Sequence, residues 1–303
     1  MKILLVLGHN RLTGVNTWAQ TLAKQFNING HEAHIEISST DNNDFSFDIE
    51  FTGFYNLLKQ SNITYYENTA IDYDSYDVVI LSYGVHAHKL ANYHGKKIYV
   101  LHGMPNRFSE IYKPPEGFYK IAVSQFLAEW HDCHTFVNHG VDMDIFLPAD
   151  LPANKIPQNV LFITRHVKND MMVRAVYELG IQADITMSEN QETIIHKIQQ
   201  SDFVIAYGRS CYEAMACGKP VFVGGNNGVD GWMKPYTHGI FLYKNCSGYV
   251  NHVGEESFDK IVCQLKRYRP YDGKVNRILA KTNHSAESMY LGYLSAIKSY
   301  GHD

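Results

Sequence analysis

Between Ser201 and Gly225 the sequence reads SDFVIAYGRSCYEAMACGKPVFVGG, and a few residue types within it suit one kind of chemistry. Gly208 lets the backbone approach a ligand closely, and a helix beginning just after it would present free N–H groups to a diphosphate. Arg209, if it faces the same crevice, would add a planar, permanently charged fork for phosphate oxygens, with Ser210 beside it. Glu213, on the first helical turns, suits the two hydroxyls of a ribose. A lone Gly-x-x-x-x-Glu is equally an ordinary turn followed by an exposed helix residue, so the surroundings must decide.

Other candidates are scattered. Gly8 and Gly14 flank a polar loop, GHNRLTG, and Gly14-Val-Asn-Thr17 places amides at a helix start. His102 closes the apolar run Tyr99-Val-Leu-His-Gly103 at a strand end, where open α/β sheets bind ligands. His86 and His88 alternate around Ala87 and would face one side of an extended segment, yet no third metal ligand accompanies them. His131-Asp-Cys-His134 fits an ordinary helix end.

Holding such groups at strand ends takes parallel sheets covered by crossover helices, and the chain alternates short β-branched runs with longer helical stretches in that way. Strands are predicted at Lys2–Leu7, Ala33–Ile37, Val78–Leu81, Lys97–Leu101 and Lys120–Val123. A second series follows at Val160–Ile163, Asp184–Met187, Phe203–Ala206, Pro220–Val223 and Ile240–Leu242. Thr17–Phe26 places Trp18, Leu22, Ala23 and Phe26 on one helical face, with Gly30 as the turn beyond it. Asp41–Phe51 is polar and acidic and reads as a loop. Three prolines between Pro148 and Pro157 mark a linker. Ser285–Tyr300 forms a last helix with Met289, Tyr290, Tyr293, Leu294 and Ile297 on one face, weakened slightly by Gly292.

These segments carry a family resemblance. Glu213-Ala-Met-Ala-Cys-Gly-Lys-Pro-Val221 is similar, almost letter for letter, to the Glu-Ala-Met-Ala-Cys-Gly-x-Pro-Val run of glycosyltransferase family 4. Ile121-Ala-Val-Ser-Gln-Phe-Leu-Ala128 and Asn138-His-Gly-Val-Asp-Met-Asp-Ile-Phe-Leu-Pro148 resemble two further signatures of that family, and Leu161-Phe-Ile-Thr-Arg165 its strand ending in Gly-Arg. The resemblance implies the GT-B fold, two Rossmann-like doubly wound parallel-sheet domains facing across a cleft. It places an acceptor-side domain at 1–150, a donor domain at 151–284, and a helix at 285–303 that packs back on the first domain. It assigns Glu213 to the nucleotide ribose and Gly208 to the diphosphate. Arg165 and Lys168 would meet the diphosphate, Gly14 would line the cleft, and His102 would lie near the reacting sugar. Two departures stand out: Ile205 occupies the position of the family's sugar-contacting Glu, and Asp170 that of its companion lysine.

The activity so implied is transfer of a hexosyl or pentosyl group from a UDP- or GDP-sugar, with retention. No metal or other cofactor is required, since Arg165 and Arg209 would stabilise the departing diphosphate. Composition bounds the rest. At 303 residues and 45% hydrophobic the chain suits two domains. No apolar run reaches the length of a membrane span. Five cysteines without a C-x-x-C pair fit reduced thiols in a cytoplasmic protein. Residues 1–150 hold 10 Lys/Arg against 17 Asp/Glu and the remainder 17 against 14, the reverse of a basic nucleic-acid face in the first half. A soluble acceptor, whether small molecule, glycan or protein, is therefore expected over a membrane lipid. The alternatives are a glycosyltransferase acting on a hydroxymethylated DNA base, a non-catalytic nucleotide-sugar binder, and a nucleotide-sugar epimerase.

Overall fold

Strands covered by helices on both faces read as continuous apolar runs, and Ile3–Leu7, Val78–Leu81 and Phe203–Ala206 are of that kind, with every residue buried. In the computed structural model, residues 1–10, 13–38, 52–67, 69–103, 114–149, 154–164, 170–186, 189–225, 228–248, 250 and 257–300 are described. The predicted loop at Asp41–Phe51 lies outside them. The chain forms two compact units, Met1–His139 with Ala286–Asp303, and Gly140–Ser285.

The first unit runs β1 (Lys2–Leu7), α1 (Gly14–Ile28), β2 (Glu32–Ile37), α2 (Thr52–Gln60), β3 (Tyr65–Glu67), β4 (Val78–Leu81), β5 (Lys96–Leu101), β6 (Tyr119–Ala122), α3 (Gln125–Trp130) and β7 (Thr135–Phe136). These strands make one seven-stranded sheet, β3-β2-β1-β4-β5-β6-β7, parallel throughout. Helix α1 starts three residues before the apolar periodicity does, because Thr13 is extended and its Oγ1 accepts the Asn16 N–H at 3.3 Å. Its Trp18, Leu22, Ala23 and Phe26 are buried, the face that periodicity predicts. The chain's last helix, Ala286–Ser299, lies on α1 through Phe26 against Tyr290 and Trp18 against Tyr293. Gly292, a weakness on propensity, is there for close packing: a Cβ would stand 2.8 Å from Val137 Cγ1.

The second unit runs β8 (Asn159–Ile163), α4 (Asp170–Glu178), β9 (Gln182–Thr186), α5 (Gln191–Gln200), β10 (Phe203–Ala206), α6 (Arg209–Ala216), β11 (Val221–Gly225), β12 (Gly228–Trp232), α7 (Pro235–Tyr243), α8 (Phe258–Leu265) and α9 (Tyr271–Asn283). Its sheet has the order β12-β11-β10-β8-β9, parallel except for β12, which pairs antiparallel with β11. Alternation along β10 sends Val204 and Ala206 into one apolar cluster with Leu161 and Met215, and Phe203 and Ile205 into another with Phe162 and Phe222.

One predicted strand is overturned. Ile240–Leu242 lies inside helix α7. Pro235 occupies the first helical turn with its φ already set, and the Lys234 N–H donates to Thr237 Oγ1 at 2.9 Å, so a helix start is built ahead of the apolar residues. His238 and Phe241, three apart, are then the buried pair. No helix among the described residues is long and apolar enough to cross a membrane.

Asp202, just before β10, holds the segment entering β8. Its carboxylate accepts from Asn154 Nδ2 (2.8 Å) and from the amides of Gln158 (2.7 Å) and Asn159 (2.9 Å). Asp202→Ala strands these donors, so urea unfolding should show a loss of about 2–3 kcal/mol. A change within about 0.5 kcal/mol, the range of ordinary surface substitutions, would mean the three bonds do no more than solvent does.

Candidate functional site

β10 ends at Ala206, and two residues later Gly208 adopts φ +60°, ψ −139°. Only glycine takes this conformation without strain. The bend is pinned by the Gly208 N–H donating to the Cys246 carbonyl at 2.9 Å, and among the described residues a Cβ built on Gly208 would meet nothing within 4 Å. Helix α6 starts at Arg209. The Cys211 N–H bonds back to the Gly208 carbonyl at 3.1 Å, while the amides ahead of it have no carbonyl one helical turn back within α6. A glycine bend facing open space thus meets the positive end of a buried helix, an arrangement suited to an anion.

Glu213 stands one turn into α6, its side chain 14% exposed. Its Oε1 accepts from Arg209 Nε at 3.0 Å, and among the described residues no hydrogen bond reaches Oε2. Burial raises the Glu213 carboxyl above its ordinary range and the adjacent guanidinium opposes that rise. Arg209 is itself buried: burial lowers its pKa, Glu213 and Asp142 oppose the drop, and Nη1 donates to the Gly140 carbonyl at 2.6 Å. Ser210 is half-buried between them. Gly208, Ser210 and Glu213 therefore lie on the bend and the first turns of α6, and the Arg209 guanidinium reaches Glu213 and Gly140. Arg165 and Lys168 lie outside the described residues; the strand preceding them ends at Ile163, paired with Ala206.

The segment Gly140–Pro148 is held by an arginine that sequence reasoning did not single out. Arg277 of α9 donates to the carbonyls of Phe146 (2.6 Å), Met143 (3.0 Å) and Ala216, the last residue of α6. Nothing local marks it, since its partners lie 61 to 134 residues away in sequence. Ile205 is 1% exposed in the cluster with Phe162 and Phe222. A carboxylate at that point of β10 would sit in apolar surroundings, so no acidic group takes the place of the family's sugar-contacting Glu there.

In the first unit, Gly14 opens α1 with ordinary φ and open space around it, whereas a Cβ on Gly8 would lie 2.9 Å from the Tyr83 ring. His102 follows β5. Trp18 meets its ring edge-on at 4.5 Å and His139 stacks on it at 5.5 Å. Among the described residues neither His102 ring nitrogen has a hydrogen-bond partner, though both are buried, and burial pushes its pKa down to about 3, so the imidazole is neutral at physiological pH. His86 and His88 fall in a 3₁₀ helix, Gly84–Leu90, one buried and the other exposed, which separates the suggested metal pair. Among the described residues no three His, Cys, Asp or Glu are gathered as metal ligands. His131 closes α3, and His134 Nδ1 accepts the Lys120 N–H at 2.9 Å.

No family model and no curated protein matches the chain in sequence. In structure it is similar to an α-glucosyltransferase in complex with UDP and a 13-mer DNA containing a HMU base, at TM-score 0.59 and 12% identity, covering 98% of this chain and 99% of that one. The same α-glucosyltransferase with UDP alone gives TM-score 0.58 at 13% identity, covering 98% and 100%. A UDP-N-acetylglucosamine 2-epimerase from Listeria monocytogenes gives TM-score 0.53 at 12% identity, covering 99% and 96%. The chain has the α/β fold of the GT-B glycosyltransferases, a fold that this epimerase shares.

Proposed function

We propose that this chain is a GT-B glycosyltransferase that transfers a sugar from a nucleoside diphosphate sugar, held in its second unit. The observation that carries this reading is the Glu213 carboxylate, one turn into α6, behind a glycine bend at Gly208 that faces open space. Oε2 is available to ribose hydroxyls, and the amides at the start of α6 suit the diphosphate, whose charge grows as the glycosidic bond breaks. Arg165 and Lys168 are assigned to that same charge by the family resemblance. His102, neutral and with ring nitrogens unpartnered among the described residues, is assigned by the family resemblance to hydroxyls of the reacting sugar. Retention and independence of metal ions go with this reading. Since UDP is bound by the similar α-glucosyltransferase, UDP-sugars are the first donors to try.

A soluble acceptor is favoured. The DNA alternative draws on the DNA-bound α-glucosyltransferase complexes, but the first unit carries 11 Lys/Arg against 16 Asp/Glu, and duplex binding depends on neutralised phosphates. The epimerase of the same fold supplies the third reading. One incubation separates them: a panel of UDP- and GDP-sugars with a broad acceptor library that includes hydroxymethylated duplex DNA, analysed for products. Glycosylated acceptor or slow donor hydrolysis is expected. Epimerised donor, or binding without any turnover, would sink the transferase reading, and glycosylated DNA would replace the favoured acceptor.

A further inference from the structure

Resting on the reading of Glu213 as the ribose-holding carboxylate, we propose that Arg209 is a positioning residue for that carboxylate and not a ligand of the diphosphate. The placement of its donors carries the inference. Nε is spent on Glu213 Oε1 at 3.0 Å and Nη1 on the Gly140 carbonyl at 2.6 Å, with 5% of the side chain exposed. A guanidinium held at two points in a plane fixes the angle of its carboxylate partner as a single-point cation cannot. The Gly140 end of this clamp is itself tied down: the next residue, Val141, donates its N–H to the His284 carbonyl at 2.8 Å and bridges to Ser285. Arg209 thus references the Glu213 carboxylate to a fixed backbone carbonyl rather than to its own helix alone. Oε1 is engaged, Oε2 is left for the ligand, and the guanidinium opposes the rise in pKa that burial imposes on the carboxyl.

A phosphate ligand and a ribose-positioning residue differ in which part of the nucleotide they feel. Titrations of wild type, Arg209→Gln, Arg209→Lys and Glu213→Gln with UDP, 2′-deoxy-UDP and uridine read this directly. Wild type should prefer UDP to its 2′-deoxy form by about 10-fold, the worth of one hydrogen bond to a charged group. Arg209→Gln should remove most of that preference, as Glu213→Gln does, while leaving the ratio of UDP to uridine affinity unchanged. The lysine variant, with charge but no fork, should fall between wild type and the glutamine variant, and it serves as the readout if Arg209→Gln does not fold. If an Arg209 variant weakens UDP and 2′-deoxy-UDP equally and leaves uridine untouched, Arg209 holds phosphate and the proposal is overturned. Wild type that binds no nucleotide, or ignores the 2′-hydroxyl, would instead overturn the reading of Glu213 on which the proposal rests.

Discussion

Glu213→Gln is expected to weaken the binding of a nucleoside diphosphate by about 10- to 100-fold, because a carboxylate with one oxygen for Arg209 and one for the ribose is replaced by a neutral amide with a single accepting oxygen for both. The magnitude is that of about one hydrogen bond to a charged group, worth about 1.5–3 kcal/mol. The Glu213 side chain is 14% exposed, so water is largely excluded from it. Stability should fall as well, by about 2–3 kcal/mol, since the buried Arg209 guanidinium loses its counter-charge while keeping its bond to Gly140. Calorimetric titration below the unfolding range separates the two effects. Unchanged affinity in a folded Glu213→Gln protein would remove Glu213 from the site.

Gly208→Ala should damage the stability of the second unit and nucleotide binding together. At φ +60°, ψ −139° any L side chain is strained by about 1–3 kcal/mol, and relieving the strain means rotating the peptide whose N–H holds Cys246. The added methyl also enters the open space before α6 that is assigned to the phosphates. Both the thermal midpoint and nucleotide affinity are therefore expected to drop. Gly14→Ala provides the contrast, since Gly14 has open space and an ordinary φ on the first turn of α1. Its thermal midpoint should stay where wild type has it. Equal midpoints for Gly208→Ala and wild type would show that the bend relaxes freely.

How much of this was legible in the sequence differs from element to element. Val78–Leu81 and Phe203–Ala206 were found to the residue, because a parallel strand buried on both faces is a continuous apolar run. Tyr65–Glu67 and Thr135–Phe136 escaped notice because two or three residues carry no period. Gly228–Trp232 escaped for a different reason. It is an edge strand with glycines at positive φ at 228 and 231, and its pairing with β11 is interrupted by a bulge at Val223/Gly224. Ile240–Leu242 misled because three apolar residues fit either period, and the helix is decided upstream by Pro235 and Thr237.

The candidate site was legible where it is local. The five-residue spacing from Gly208 to Glu213 is one bend and one helical turn, and it survives translation into structure. The direction of Arg209 is not local, because its second partner is a carbonyl 69 residues earlier. Arg277 was invisible for the same reason. Ile205 was legible as a departure from the family pattern, but that its side chain lies in an apolar cluster follows only from the pairing of β10 with β8 and β11.

In the proposed function, α6 and the bend before it are the seat of a nucleoside diphosphate. Hydrogen–deuterium exchange with and without saturating UDP tests this most directly. Slower exchange is predicted across residues 207–213, where the bend and the first turn of α6 lie, and Glu213→Gln should lose most of it. Saturating UDP that leaves this stretch unchanged while slowing exchange elsewhere in the chain would contradict the account.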